Sequence, residues 1–238
     1  MRRFFPDRIE DGIAYFSVQE SRHISRVLRM EKGDKIIVPE GRGEWICELD
    51  RVFPEECTAR TLEFRGCDAE PKKNITLYMA YTKSDKMEIV VQKAVELGVS
   101  RFSPFISSRC VKVPDEKSAL KANERFSRIA LEAVKQCGRS QKIRIDMPIS
   151  FDELIVQISR HQKAIFAYEA SDGDLKEALK DLKDDVCVII GPEGGFSCNE
   201  ADRIVDAGAD SVSLGARILR AETAAIALLA ITAYEMGC

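Results

Sequence analysis

No run of apolar residues in this 238-residue chain approaches the roughly 20 needed to cross a bilayer, so a helical membrane span is not expected. No Cys-x-x-Cys pair occurs among the eight cysteines at 47, 57, 67, 110, 137, 187, 198 and 238, and only His23 and His161 are there to join them. Zinc sites need ligands at short, clustered spacings, so the thiols are expected to be reduced, mostly buried and free of metal. Behind the basic start Met1-Arg2-Arg3 no apolar stretch of a signal peptide follows, and the expected location is the cytoplasm. Repeats and low-complexity tracts are missing as well. What remains is 45% hydrophobic and 32% charged, the make-up of a soluble globular protein with room for a small and a medium domain.

A large excess of either charge is also lacking, since the chain carries a formal net −3. That small figure hides an uneven distribution. Residues 1–82 carry net −1, residues 83–144 net +7, and residues 145–238 net −9. A basic middle third of this kind is the electrostatic footprint of a phosphate-binding surface, or else a solvated helix face.

Residues 1–70 predict a small β-rich domain. Short β-branched or alternating runs recur at 13–18, 35–38, 44–52 and 57–64. In the third, Trp45, Cys47 and Leu49 alternate with Glu44, Glu48 and Asp50, which predicts one buried face. One helix is expected over 20–30, with Ile24, Val27 and Leu28 as its apolar stripe and Arg22, Arg26 and Arg29 on another face. The polar stretch 66–74 reads as a linker. From residue 75 onward strands and helices alternate, the sign of an α/β domain with a largely parallel sheet. Strands are expected at 75–81, 102–106, 164–168, 186–190 and 211–214, and helices at 85–97, 124–137 and 224–236, the last apolar all round.

Two loops carry the chemistry. The apolar run Val186–Ile190 leads directly into Gly191-Pro192-Glu193-Gly194-Gly195-Phe196-Ser197. Ligands of open α/β sheets bind at the carboxyl ends of strands, and glycines let a backbone approach a ligand closely. The loop is neither a P-loop nor a dinucleotide fingerprint, because no Gly-Lys-Ser/Thr and no Gly-x-Gly-x-x-Gly is present. Ser197 with Glu200 forms a capping box that starts the next helix. A second loop, Gly215 to Thr223, places Arg220 and Glu222 at the mouth of the apolar helix, where charges are costly unless paired or used.

Gly191-Pro192-Glu193-Gly194-Gly195, followed by Leu214-Gly215-x-Arg217-Ile218-Leu219-Arg220-x-Glu222-Thr223-Ala224, resembles the signature of the RsmE family, the 16S ribosomal RNA (uracil-N3) methyltransferases of the SPOUT class. Arg3-Phe4-Phe5, His23 with Val27-Leu28-Arg29, Gly33-Asp34, Lys93 to Val99, and Glu132-Ala133 with Gln136 to Arg139 extend the likeness nearly end to end. Departures are small: Cys110 follows Arg109 where serine is common, and no proline follows Arg139-Ser140. The resemblance implies an α/β SPOUT domain over 75–238 with a C-terminal trefoil knot, a PUA-like β-barrel for RNA over 1–70, and a homodimer. It implies S-adenosyl-L-methionine as methyl donor, bound by Tyr168, Glu169, Gly191, Glu193, Gly195, Leu214, Gly215, Ile218, Leu219 and Arg220. Arg3, Arg22, Arg26, Arg29, Arg109, Arg125, Arg128 and Arg139 are the residues expected to meet RNA, with 16S ribosomal RNA in the small subunit as partner.

Methylation at uracil N3 needs the N–H proton removed or the resulting anion stabilised. Arg139 and Arg220 are the expected cations, and Glu193 or Glu222 the proton acceptor. Two other functions fit less of this pattern: a methyltransferase acting on transfer RNA or a ribose 2′-OH, and a non-catalytic RNA-binding or ribosome-assembly factor.

Overall fold

The computed structural model describes every residue except Asp181, Lys183 and Cys238, and the chain forms two units, Met1–Glu70 with Val134–Gln141 and Pro71–Ala133 with Lys142–Cys238. Cys238 of the cysteine set therefore lies outside the described residues. Among those described, the other seven cysteines are free thiols, no group of metal-ligating side chains gathers, and no helix is long and apolar enough to cross a membrane.

The first unit holds one sheet of β1 (Arg2–Arg3), β2 (Arg8–Glu10), β3 (Ile13–Tyr15), β4 (Lys35–Glu40), β5 (Gly43–Val52) and β6 (Cys57–Gly66), in the order β1-β4-β5-β6-β3-β2. Only the β1–β4 pair is parallel. Alternation in β5 sends Cys47 and Leu49 into a core with Phe4, Ile24, Ile36 and Val38, and burial pushes the Cys47 thiol up to about 12. Glu44, expected on the wet face, is instead buried, because Arg3 and Arg65 close on it at 2.7 and 2.6 Å. Burial alone would raise its carboxyl, but hydrogen bonds and charge from the two guanidinium groups prevail and hold it below the usual range.

The helix expected over 20–30 is shorter and changes type. An α-helix, α1 (Val18–Arg22), passes into a π-helical turn over His23–Val27, with Leu28 N–H donating to the His23 carbonyl five residues back at 2.9 Å. The wider turn breaks the 3.6-residue period, so Ile24 is fully buried while Val27, expected beside it, is 67% exposed. Arg22, Arg26 and Arg29 are all exposed, and Arg29 ends the segment with φ +49°.

Residues 134–141, expected in the second domain, group with the first unit, and Glu70 provides several of the ties. Its carboxylate accepts from the Arg139 guanidinium at 2.8 Å and from the Ser140 and Gln141 N–H groups at 2.9 and 3.0 Å. Arg139, expected among the catalytic and RNA-contacting residues, is thereby 3% exposed and committed to this buried pair.

The second unit is built on a parallel sheet. Its strands are β7 (Asn74–Ala80), β8 (Arg101–Ile106), β9 (Arg144–Ile145), β10 (Ile149–Ser150), β11 (Lys163–Ala167), β12 (Asp185–Ile190) and β13 (Ala209–Val212). Their order is β10-β8-β7-β12-β11-β13, with β9 also on β8. Between them run α2 (Ser84–Glu96), α3 (Glu116–Cys137), α4 (Phe151–Ile158), α5 (Leu175–Ala178), α6 (Cys198–Asp206) and α7 (Ala221–Met236). The central strands are buried on both faces, as a sheet covered by helices requires, so they read as unbroken apolar runs. His161 is absorbed into this framework, 3.1 Å from the Tyr78 hydroxyl and 2.9 Å from Asp185.

Removing one partner of a buried ion pair strands the other charge, which costs about 3–5 kcal/mol. Arg139→Met should lose that much stability by denaturant unfolding, and Glu70→Gln combined with it should recover part of the loss. A loss below 1 kcal/mol would show the pair to be idle.

Candidate functional site

The sheet brings two loops together at the carboxyl ends of β11, β12 and β13. The first follows β12 and runs over Gly191–Ser197 into α6. Ser197 and Glu200 form both bonds of the capping box, Ser197 Oγ accepting from Glu200 N–H and Glu200 accepting from Ser197 N–H. Glu200 does more than cap: its other oxygen accepts from Ser108 N–H at 2.8 Å. Burial would raise its carboxyl, but these N–H and hydroxyl donors outweigh burial and hold it below the ordinary value of 4.5. Arg109, expected to meet RNA, donates to the carbonyls of Gly194 and Phe196 at 3.1 and 3.2 Å. Phe196 is buried and stacks on Phe105, with ring centroids 6.2 Å apart. The residues after β8 thus fasten the glycine loop from one side, and Phe196 nails it to the core.

The second loop follows β13 and ends at α7. Tyr168 N–H donates to the Val212 carbonyl and Ser213 N–H to the Gly173 carbonyl, each at 3.1 Å, so the segment after β11 is stitched to β13. A Cβ on Gly173 would collide with the Ser211 carbonyl oxygen, a backbone atom that has nowhere to go. Tyr168 stacks on Phe166 at 5.7 Å, and desolvation, with Cys198 and Glu169 nearby, raises its phenol above the usual 10. It is therefore neutral at pH 7.

Between the loops lies a cavity of about 850 Å³. All ten residues expected to bind the donor stand around it: Tyr168, Glu169, Gly191, Glu193, Gly195, Leu214, Gly215, Ile218, Leu219 and Arg220. Gly195 has φ +66°, and a Cβ there would meet the Glu169 carboxylate. Ile218 is 89% exposed at the mouth. Arg220 is exposed and supplies the backbone cap of α7 without a side-chain capping bond. Glu222, in the first turn of α7, pairs with Lys86 at 3.5 Å, and Lys86 also reaches Glu193 at 3.4 Å.

The remaining expected residues lie elsewhere. In the first unit Arg139 is buried on Glu70 and the half-buried Arg3 pairs with Glu44, while Arg22, Arg26 and Arg29 are exposed. Arg125 and Arg128 are exposed on α3, Arg125 paired with Glu88 at 2.7 Å. Lys86 escaped notice in the sequence. The signal for it was positional, since it opens the helix after β7, a central strand whose carboxyl end faces the cavity.

Comparison with known proteins places this geometry in a class and then in a family. The model of an RNA methyltransferase domain matches residues 69–233, and that of an RNA methyltransferase PUA domain matches residues 16–60. Ribosomal RNA small subunit methyltransferase E of Bacillus subtilis is 32% identical over 99% of this chain and 97% of its own. Among solved structures, a methyltransferase from Legionella pneumophila in complex with bound SAM superposes with a TM-score of 0.86 at 30% identity, over 97% of this chain and 96% of that one. The small subunit methyltransferase E from Neisseria gonorrhoeae, bound to S-adenosyl methionine, gives 0.86 at 29% identity over the same shares. The chain belongs to the ribosomal RNA small subunit methyltransferase E (RsmE) family.

The depressed Glu200 carboxyl fixes a pH dependence. A folded-state value below 4.5 means that its contribution is complete above about pH 4.5 and fades as pH falls through the folded value. Glu200→Gln should cost about 1–3 kcal/mol at pH 7. The gap to wild type should narrow steadily below pH 4.5 in urea titrations; a gap constant with pH would deny the ionised carboxylate its role.

Proposed function

We propose that this protein transfers a methyl group from S-adenosylmethionine to N3 of a uridine in 16S ribosomal RNA of the small subunit. The observation that carries the reading is the cavity between two strand-end loops, walled by backbone at Gly191, Gly195 and Gly215 and flanked by Glu169 and Glu193. Apolar Ile190, Leu214 and Leu219 suit a flat aromatic ring, the glycine backbone supplies N–H and C=O groups to its edge, and the carboxylates suit a sulfonium cation. Donor-bound relatives of the same fold support the assignment.

The path of the chain supports the SPOUT class and a C-terminal trefoil knot. β13 lies beyond β11, yet α7 returns to pack on β12 and α2. The last segment must therefore cross the connection after β11, which is bonded to β13 at Tyr168, Ser171 and Gly173. A homodimer is supported by the outward side of α7, where Ile231 and the 82% exposed Tyr234 leave apolar surface uncovered. In the first unit, the PUA match and the exposed Arg22, Arg26 and Arg29 support RNA binding.

When bound, the donor supplies an electrophilic methyl. The protein's share is orientation and charge. Arg220, exposed at the cavity, is the cation that stabilises the N3 anion across the flanking carbonyl oxygens. A carboxylate of the same loops takes the proton.

Gly195→Val puts a β-branched residue at φ +66°, and should abolish S-adenosylmethionine binding by calorimetry while circular dichroism stays unchanged. Wild-type affinity in that variant would remove the loop from the donor site. Arg220→Ala should slow single-turnover methylation roughly 100- to 1,000-fold with RNA affinity little changed. Arg220→Lys should rescue little, because a point charge does not copy the planar fork. A chromatographic product other than 3-methyluridine would overturn the substrate assignment.

A further inference from the structure

We infer that Lys86 is the positioning residue of this site: braced from behind by Glu222, it holds the carboxylate of Glu193 at the cavity wall, where Glu193 accepts the proton that leaves the base. This inference rests on the methyl-transfer reading above, and it gives the two glutamates different tasks.

Three observations carry it. First, the Lys86 ammonium lies 3.4 Å from Glu193 Oε1 and 3.5 Å from Glu222 Oε2, so one compact charge serves two carboxylates that would otherwise repel. Its three N–H donors make this sharing feasible. Second, the arrangement is asymmetric. Lys86 and Glu193 line the cavity, whereas Glu222 is not among the lining residues. Third, Glu222 Oε2 is sealed from solvent and accepts no hydrogen bond among the described residues, so the nearby ammonium is what compensates its charge. A half-buried carboxylate whose sealed oxygen has one cation beside it favours keeping that cation in place, because moving Lys86 away would strand Glu222 Oε2. A lysine alone is a flexible stem, and Glu222 is what makes it a rigid support.

The roles then follow. Glu222 stands outside the cavity lining, behind Lys86. Glu193 lines the cavity. One bond forms, from the ring nitrogen to the methyl carbon, and two break: that carbon's bond to the donor sulfur, whose electron pair goes to sulfur, and the N–H bond, whose pair stays on nitrogen. The proton passes to Glu193 and from there to water. Lys86 keeps its own protons throughout, and nothing is oxidised or reduced.

The test is a pair of double-variant cycles on the whole protein. Lys86→Met should slow single-turnover methylation roughly 10- to 100-fold, with donor affinity by calorimetry changed by less than about threefold. Lys86→Arg should recover most of the rate. In a Glu193→Gln background the same Lys86→Met change should cost nothing further, since it acts only through that carboxylate. Independently of activity, Lys86→Met should lower the melting temperature and added Glu222→Gln should restore it. Should Lys86→Met fail to fold, the Lys86→Met/Glu222→Gln protein, free of both charges of the pair, carries the same rate comparison. Wild-type protein that transfers no methyl would overturn the proposed function and this inference with it. Wild-type transfer with equal Lys86→Met losses in both backgrounds would overturn the inference alone.

Discussion

The second unit depends on where β12 sits, between β7 and β11 at the middle of a sheet whose strands all point one way. Parallel strands must be joined by crossovers over the faces, so each strand's carboxyl end opens into a loop on the same edge. Placing β12 at the centre puts its glycine loop between the loops of its neighbours. β13 adds the last loop from beyond β11, and α7 carries the chain back over β12. The cavity is the space these loops leave. Three separate strand ends meet there, and four glycines, Gly191, Gly194, Gly195 and Gly215, stand in its wall.

Buried carboxylates set how rigid each part of the molecule is. Glu44, Glu70 and Glu200 are all nearly sealed, and each is surrounded by donors: Arg3 and Arg65, Arg139 with two N–H groups, and Ser108 with Ser197. A sealed carboxylate is tolerable only in such company, and the company is then held in place by it. Glu200 illustrates the functional yield, since it caps α6 where the glycine loop ends and ties that end to Ser108 after β8. Glu222 departs from this pattern. It has a single ammonium beside it and no hydrogen bond on Oε2, so it transmits its constraint to one side chain only.

Much of this was legible in the sequence for definite physical reasons. Central parallel strands are apolar on both faces, so 186–190 and 75–81 announce themselves by composition. The Ser197/Glu200 spacing marks a helix start because the capping box is local chemistry, complete within four residues. What escaped notice depended on partners far along the chain. Glu44 reads as a wet-face residue until Arg3 and Arg65 are brought beside it. Arg139 reads as an exposed cation until Glu70, 69 residues earlier, claims it. The 20–30 helix differs for another reason: a π-turn leaves no mark in a 3.6-residue pattern, and it turns Val27 to solvent rather than to the core. Lys86 was hidden among 36 basic residues, because only a folded sheet shows which of them sits at a strand's carboxyl end.

The same accounting changes the meaning of the basic middle third. Its net +7 counts charges without asking which are already engaged. Arg139 is engaged by Glu70, Arg109 by two carbonyls of the glycine loop, Arg101 by Asp146 and Lys135 by Glu20. Lys117, Lys121 and Arg128 along α3 remain exposed, with Arg125 exposed but paired to Glu88. A counterion-releasing surface is made only of charges that water still reaches. The charge left to release counterions, including that of Lys117, Lys121 and Arg128 on α3, is therefore smaller than the composition suggests. Arg109, spent on backbone carbonyls, contributes by keeping the glycine loop still.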